Sequence, residues 1–374
     1  MRILHCITDL STGGAEQALY NVVASGLGSH HETAVISLQG EGSLGGPIRG
    51  LGVAVYTLGM RSGWPSLRGL IRLRRVVEVV QPDIVQGWMY HGNVAASLAA
   101  RLSGCGPAVA WNVRQSLYNL SREKLLTRQV VRANRAMSAN ASLIIYNSHL
   151  SRHQHEAFGF ERSRAQVVPN GFDLERVRPD EAMGSAVRAE MGFPVAAPVV
   201  GHVARFHPMK DHASFLRAAV RVAQKDPQAR FLLIGREVSL DQPSLKGIVP
   251  PEFLERFVFT GERSDAQRLM QSMDVLAASS AWGEAFPNVL GEAMACGVPC
   301  VTTDVGDSAA IVGDSGIVVP PSDPEALANG LQALLKKRDE ERRALGRSAR
   351  ARIESHFSLP SVVERYADLY GNLA

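Results

Sequence analysis

Two cations, Arg205 and Lys210, and two carboxylates, Glu284 and Glu292, are the side chains best placed to do chemistry. Arg205 and Lys210 share the stretch Arg205-Phe206-His207-Pro208-Met209-Lys210-Asp211, between an apolar run ending at Ala204 and a helical pattern starting near Asp211. A forked guanidinium beside a compact ammonium suits a diphosphate. Together they could neutralise a leaving group without a metal ion. The bland alternative is two solvated loop charges; their place at the carboxyl end of a strand favours a ligand. Glu284 lies ahead of a short helix for which Pro287 suits the first position, Gly297 the C-cap and Pro299 the stop. Glu292 falls in its second turn and shares a face with Ala295 and Cys296. Acceptor-only groups suit sugar or ribose hydroxyls. The alternative has Glu284 facing the helix dipole and Glu292 facing solvent. A third motif, Ser11-Thr12-Gly13-Gly14-Ala15-Glu16, follows the first apolar run and opens the first helical one. Glycines let a backbone approach a ligand, and the helix end offers N–H groups to an anion. The same residues would also make a tight turn with no ligand. The spacing lacks the Gly-x-Gly-x-x-Gly fingerprint, which demotes an NAD-dependent dehydrogenase.

Positioning these groups takes many elements, and the chain has room for them. Its 374 residues allow two or three domains. With 45% hydrophobic and 20% charged residues it reads as globular, neither disordered nor fibrous. A net charge of +4 gives no reason to expect nucleic acid, and four cysteines cannot build a disulfide framework. No apolar run approaches a membrane span, and no signal-peptide core is read behind Met1. Short apolar runs at 2–7, 33–37, 53–58, 84–86, 109–113, 143–146 and 166–168 alternate with helical patterns at 15–27, 67–80, 94–102, 122–139 and 149–158. The alternation restarts at 199–204 and continues through strands at 231–234, 258–260, 275–278, 300–302 and 317–319. Helices there read at 212–224, 266–272, 287–295 and 325–337, followed by 339–355 and 359–372. Such alternation implies parallel sheets covered on both faces, with ligands at the strands' carboxyl ends. Proline and glycine punctuation over 170–198 reads as the linker between two α/β, doubly wound domains.

The spacing from Glu284 to Glu292 resembles the E-x7-E signature of the retaining glycosyltransferases of family 4, which have the GT-B fold. Gly13-Gly14-Ala15-Glu16, Val168-Pro169-Asn170-Gly171-Phe172-Asp173, the Arg205 and Lys210 pair, and Val258-Phe259-Thr260-Gly261 are similar to that family's motifs in the same order. The resemblance spans residues 1 to about 320. It implies two Rossmann-like domains facing a central cleft, with a C-terminal helix crossing back to the first. The expected division is an acceptor-binding domain at 1–178, a nucleotide-sugar-binding domain at 179–357 and the crossover helix at 358–374. It further implies that Arg205 and Lys210 hold the donor diphosphate and that Glu284 binds donor sugar hydroxyls. The Phe286-Pro287-Asn288 turn, with Val289, would offer backbone N–H groups, and Glu292 would bind the ribose. Gly13 and Gly14 would approach the phosphates, and Arg263 would flank the base. Three departures stand out: Ala285 where members often have glycine, no glutamate after the Gly306 turn, and Arg114 where many have histidine. Arg114 or His91 is therefore the candidate beside the reacting sugar or acceptor, with His91 as a simple helix cap the alternative.

The cysteines have no zinc spacing and read as small buried hydrophobes. No Asp-x-Asp pair occurs, in agreement with metal-free transfer and no cofactor. On the 122–139 helix, Lys124, Arg128, Arg132 and Arg135 share one face, opposite Leu126, Val130, Ala133 and Met137. That face is either a solvated side of a helix docked on the sheet or a contact for anionic lipid or a lipid-linked pyrophosphate. Arg68, Arg72, Arg74 and Arg75 add to the basic surface. The expectation is a cytoplasmic retaining glycosyltransferase that takes a nucleotide-sugar donor, by default a UDP-sugar, and a glycan or lipid-linked acceptor. Its place would be bacterial surface polysaccharide assembly, with peripheral contact at the inner face of the plasma membrane. The rivals are a nucleotide-sugar epimerase of the same fold and a non-catalytic nucleotide-sugar-binding protein.

Overall fold

The computed structural model describes residues 1–11, 13–27, 31–60, 66–120 and 124–373; Thr12 of the first loop and Arg122 of the basic helix lie outside them. The chain divides into two units, Met1–Gly171 with Leu359–Ala374, and Phe172–Ser358.

The first unit is built on β1 (Arg2–Ile7), β2 (Glu32–Ser37), β3 (Ala54–Thr57), β4 (Ile84–Trp88), β5 (Ala108–Val113), β6 (Leu143–Tyr146) and β7 (Ala165–Val167). Their order is β3-β2-β1-β4-β5-β6-β7, with every neighbouring pair parallel. The side-chain period of two sends Ile3 and Ile7 into one core and Leu4 and Cys6 into another, so both faces of β1 are buried. The second unit holds β8 (Val199–Val203), β9 (Arg230–Ile234), β10 (Phe257–Phe259), β11 (Val275–Ala278), β12 (Cys300–Thr303) and β13 (Ile317–Val319). Its order is β10-β9-β8-β11-β12-β13, again all parallel. Both sheets are Rossmann-like. Each reverses its strand order once, between β1 and β4 and between β8 and β11, and such reversals open a crevice at the strands' carboxyl ends.

The Leu359–Gly371 helix belongs to the first unit, where Leu359, Val362, Val363, Tyr366 and Tyr370 join the core around Ile3 and Ile7. Asn112 Nδ2 donates to the Tyr366 hydroxyl at 2.6 Å, and the Tyr370 hydroxyl donates to Gln86. Several expected boundaries move. The first unit ends at Gly171 rather than 178, because Phe172 and Val177 bury in the core around Leu290 and Met294. The expected linker 170–198 contains a helix, Glu181–Glu190, capped by Asp180 accepting from Met183 N at 2.8 Å. Its flanking prolines and glycines hid it. The first helix runs only over Gly14–Val22 before a kink at Ser25 and Gly26. The helix after β4 starts at Met89 rather than 94, with Met89 held at φ 62°. Of the cysteines, Cys6, Cys296 and Cys300 are buried as expected, whereas Cys105 is exposed.

Burial keeps several histidines neutral. It lowers His5 to about 3 and His155 and His212 to about 4, and His202 well below its ordinary value. The unfolded chain protonates these rings near pH 6.5 while the native state resists until lower pH, so stability falls with acidification between those limits. Each ring contributes up to about 1.4 kcal/mol per pH unit there. The melting temperature should therefore fall steadily from pH 6.5 to 5, above the range where most carboxylates titrate. A melting temperature that is flat over that window, followed by calorimetry or circular dichroism, would contradict this assignment.

Candidate functional site

The loops after β8 and β11 meet at the order reversal of the second sheet. After β8, His207 accepts from Met209 N at 3.2 Å and starts the short turn Pro208–Lys210. Asp211 follows in the left-handed region at φ 45° and caps the His212–Lys225 helix by accepting from Ser214 N at 3.1 Å. This sharp reversal fixes the Lys210 backbone. The Ser279 hydroxyl, at the end of β11, donates to the Lys210 carbonyl at 2.8 Å, and its oxygen lies 3.0 Å from His202 Nε2. With the serine proton directed at a carbonyl, the imidazole must carry its hydrogen on Nε2. The buried ring thus braces the serine that holds the loop.

Lys210 Nζ forms an ion pair with Glu284 Oε1, and both side chains are largely withdrawn from water, at 20% and 11% exposure. The Ser280 hydroxyl donates to the same carboxylate oxygen at 2.7 Å. Glu284 therefore faces Lys210 and Ser280 rather than serving as a cap of the following helix. Its backbone is pinned from behind. Gly306 sits at φ 66°, where a Cβ would come within 2.8 Å of the Glu284 and Ala285 carbonyls. Lys210, Ser279, Ser280, Glu284, Pro287 and Val289 line one cleft. Arg205 is exposed. The charges of Arg205 and Lys210 both help lower the His207 pKa, after burial, which places both cations near that ring. An ammonium has three donors, so Lys210 can hold Glu284 and still reach an anionic ligand.

The Asn288–Ala295 helix follows, with Pro287 at the N-cap rather than in the first helical position, and Gly297 in the left-handed region just past its end. Phe286 is buried against Phe172 and Phe357 at ring distances of 6.3 and 5.6 Å, which anchors the turn before the helix. Gly291 makes room for that packing, since a Cβ there would lie 2.0 Å from the Phe172 ring. Glu292 is half-buried rather than solvent-facing. Burial raises its pKa, against a 3.5 Å hydrogen bond from Gln267 Nε2 and the nearby Arg176 charge. Arg263, expected beside a nucleobase, forms a two-bond pair with Asp265 at 2.7 and 2.8 Å, which holds that carboxyl down at about 2. Arg268 extends the network to Asp265 and Glu190.

In the first unit the reversal between β1 and β4 puts the Gly13 and Gly14 loop and His91 at strand ends. Gly13 caps the first helix, and a Cβ on Gly14 would meet open space. His91 is half-buried, and burial lowers its pKa. Arg114, at the end of β5, spends its guanidinium inside the unit. It donates to Asn112 Oδ1 at 3.2 Å, to the Tyr366 hydroxyl at 3.0 Å and to Asn170, and it lies over the Trp88 ring at 5.5 Å. Sequence reasoning missed this tie between a strand end, the last helix and the end of the unit. It also missed Ser279, Ser280 and His202, for which the only sequence signal is their place at strand ends. Of the basic face, Lys124 and Arg132 are exposed, Arg128 is half-buried, and Arg135 lies over the Phe158 ring at 5.4 Å.

Two family models match the chain. Glycosyltransferase Family 4 covers residues 12–176, and Glycosyl transferases group 1 covers residues 197–337. A D-inositol 3-phosphate glycosyltransferase from Nocardia farcinica is 34% identical over 205 residues, 50% of this chain and 43% of that protein. An Escherichia coli UDP-Gal:alpha-D-GlcNAc-diphosphoundecaprenol alpha-1,3-galactosyltransferase is 22% identical over 82% of this chain and 79% of its own. The matched stretches span 43%, 37% and 57% of the first three relatives. The crystal structure of Anabaena HepE in complex with UDP has the same fold, with a TM-score of 0.81 and 23% identity over the whole of both chains.

Replacing Arg114 tests its internal role. Arg114→Ala removes the hydrogen bonds to Asn112, Asn170 and Tyr366 and should destabilise the first unit by roughly 2–3 kcal/mol. Chemical denaturation checks this; wild-type stability would contradict it.

Proposed function

The chain belongs to the group 1, family 4 glycosyltransferases of the GT-B fold, and from that premise we propose that it moves a sugar from a UDP-sugar to a hydroxyl of a lipid-linked diphosphate glycan with retention of configuration. The carrying observation is the Lys210–Glu284 pair at the reversal between β8 and β11, with Arg205 exposed on the same loop. The UDP bound by the Anabaena neighbour and the diphosphoundecaprenol acceptor named for the E. coli relative support the choice of donor and acceptor.

In this reading Arg205 and Lys210 receive the donor diphosphate as its negative charge grows. Glu284, oriented by Lys210 and Ser280, accepts hydrogen bonds from sugar hydroxyls, and Glu292 does the same for the ribose. The N–H groups at the start of the Asn288–Ala295 helix face the donor's charge. The bond between the anomeric carbon and the diphosphate oxygen breaks. The acceptor oxygen bonds to that carbon on the same face and passes its proton to the departing diphosphate. Glu284 is no nucleophile here, because its carboxylate is committed to Lys210 and Ser280. The two cations take the part a divalent ion plays elsewhere, so no metal or cofactor enters the scheme. Among the described residues no helix is long and apolar enough to cross a membrane. The proposed setting is the cytoplasm, with Lys124 and Arg132 meeting anionic lipid during surface polysaccharide assembly.

Lys210→Ala and Glu292→Ala should each lower transfer from the UDP-sugar at least 100-fold in a chain that still folds, with Lys210→Ala also lowering the melting temperature because it leaves the Glu284 carboxylate withdrawn from water without its cation. UDP at 100 times its Kd should stabilise the wild type by about 2.7 kcal/mol, and Lys210→Ala should lose most of that gain. Turnover near wild type in either variant, measured by UDP release, would refute the site.

A further inference from the structure

β8 lies inside the second sheet, between β9 and β11, and reads Val199-Val200-Gly201-His202-Val203. His202 is its one polar side chain and is 2% exposed. The period of two puts it on the same face as Val200, under the His212–Lys225 helix. Its ring lies 4.5 Å from that of Phe215 and 4.8 Å from that of His212. Burying a polar ring costs free energy that a hydrocarbon side chain would not, so packing alone does not account for a histidine here.

The ring's bonds have a fixed direction. Burial, then the neighbouring His212 and the Lys210 charge, hold its pKa well below the ordinary value and leave it neutral. One ring nitrogen then carries a hydrogen and the other does not. The Ser279 hydroxyl has a single proton and two carbonyls to receive it, Lys210 at 2.8 Å and Asp211 at 3.2 Å. Its oxygen therefore accepts from His202 Nε2 at 3.0 Å. The peptide held this way is the corner of the loop, because Asp211 adopts φ 45°, an uncommon conformation for a residue with a side chain. The start of the loop is braced as well: His212 Nε2 lies 3.4 Å from the carbonyl of Ala204, the residue before Arg205. Two packed imidazoles thus hold the backbone next to both cations.

We infer that His202 is a positioning residue for sugar transfer: through Ser279 it fixes the backbone from which the Lys210 ammonium reaches the donor diphosphate. The inference rests on the glycosyl-transfer reading. Lys210 is aimed at the distal phosphate, so its placement is read from the preference for UDP over UMP, measured by titration calorimetry on the full chain. A general loosening of the fold would weaken both nucleotides alike. Wild type should bind UDP about tenfold tighter than UMP, and Lys210→Ala should lose most of that preference. His202→Leu and Ser279→Ala should each reduce it about threefold or more and leave UMP binding unchanged. The double variant should be no worse than Ser279→Ala alone, since both act through one bond chain. His202→Gln, whose amide N–H reaches about as far as Nε2, should restore the preference, whereas the shorter His202→Asn should not. A folded His202→Leu with the wild-type preference would overturn the inference. Should that variant not fold, the glutamine and asparagine variants decide: equal preferences in the two would overturn it. Wild type that does not prefer UDP, or Lys210→Ala that keeps the preference, would instead sink the donor reading and this inference with it.

Discussion

Lys210 and Glu284 reach each other from loops that follow different strands, β8 and β11, which are neighbours only because the sheet reverses its order between them. Most of the site's geometry follows from that contact. Holding two opposite charges this far from water is costly unless their remaining bonding capacity is met. Ser280 takes one share of the carboxylate, and Ser279, backed by buried His202, fixes the backbone that delivers the lysine. Gly306 presses against the Glu284 and Ala285 carbonyls from behind. The pair leaves the ammonium with unused donors and Arg205 without an ion-pair partner among the described residues. The local charge balance therefore favours an incoming anion.

The places of the candidate residues were legible in the sequence because each motif follows an apolar run and precedes a helical one. Arg205, Lys210, Glu284 and Glu292 all lie where that pattern predicts, on loops and a helix beyond the strand ends of the second sheet. Both parallel sheets were legible for the same reason, since strands buried on two faces read as continuous apolar runs. What the sequence did not reveal depends on contacts between residues far apart along the chain. Nothing local to Arg114 announces Tyr366 or Asn170 as partners, and nothing local to Arg263 announces Glu190. The Glu181–Glu190 helix was obscured because prolines and glycines on either side made the whole stretch read as punctuation. The start at Met89 was obscured because a non-glycine residue in the left-handed region breaks the usual rule for helix starts.

The two units spend their unusual features differently. The second concentrates charge: the Lys210–Glu284 pair, serine hydroxyls and the neutral, buried His202 line one small cleft. The first keeps its strand ends tied down through Arg114, Tyr366 and Asn112, and leaves an apolar hollow between basic helices. Arg114 stands where many members carry histidine, and its guanidinium is occupied in holding the last helix, while His91 lines the hollow.

The most direct measurement is a crystal structure of the chain with UDP bound. The account predicts the β-phosphate within hydrogen-bond reach of Lys210 Nζ and the Arg205 guanidinium, with the ribose hydroxyls on Glu292. A diphosphate held elsewhere, with Lys210 still bonded only to Glu284 and Arg205 in solvent, would contradict it.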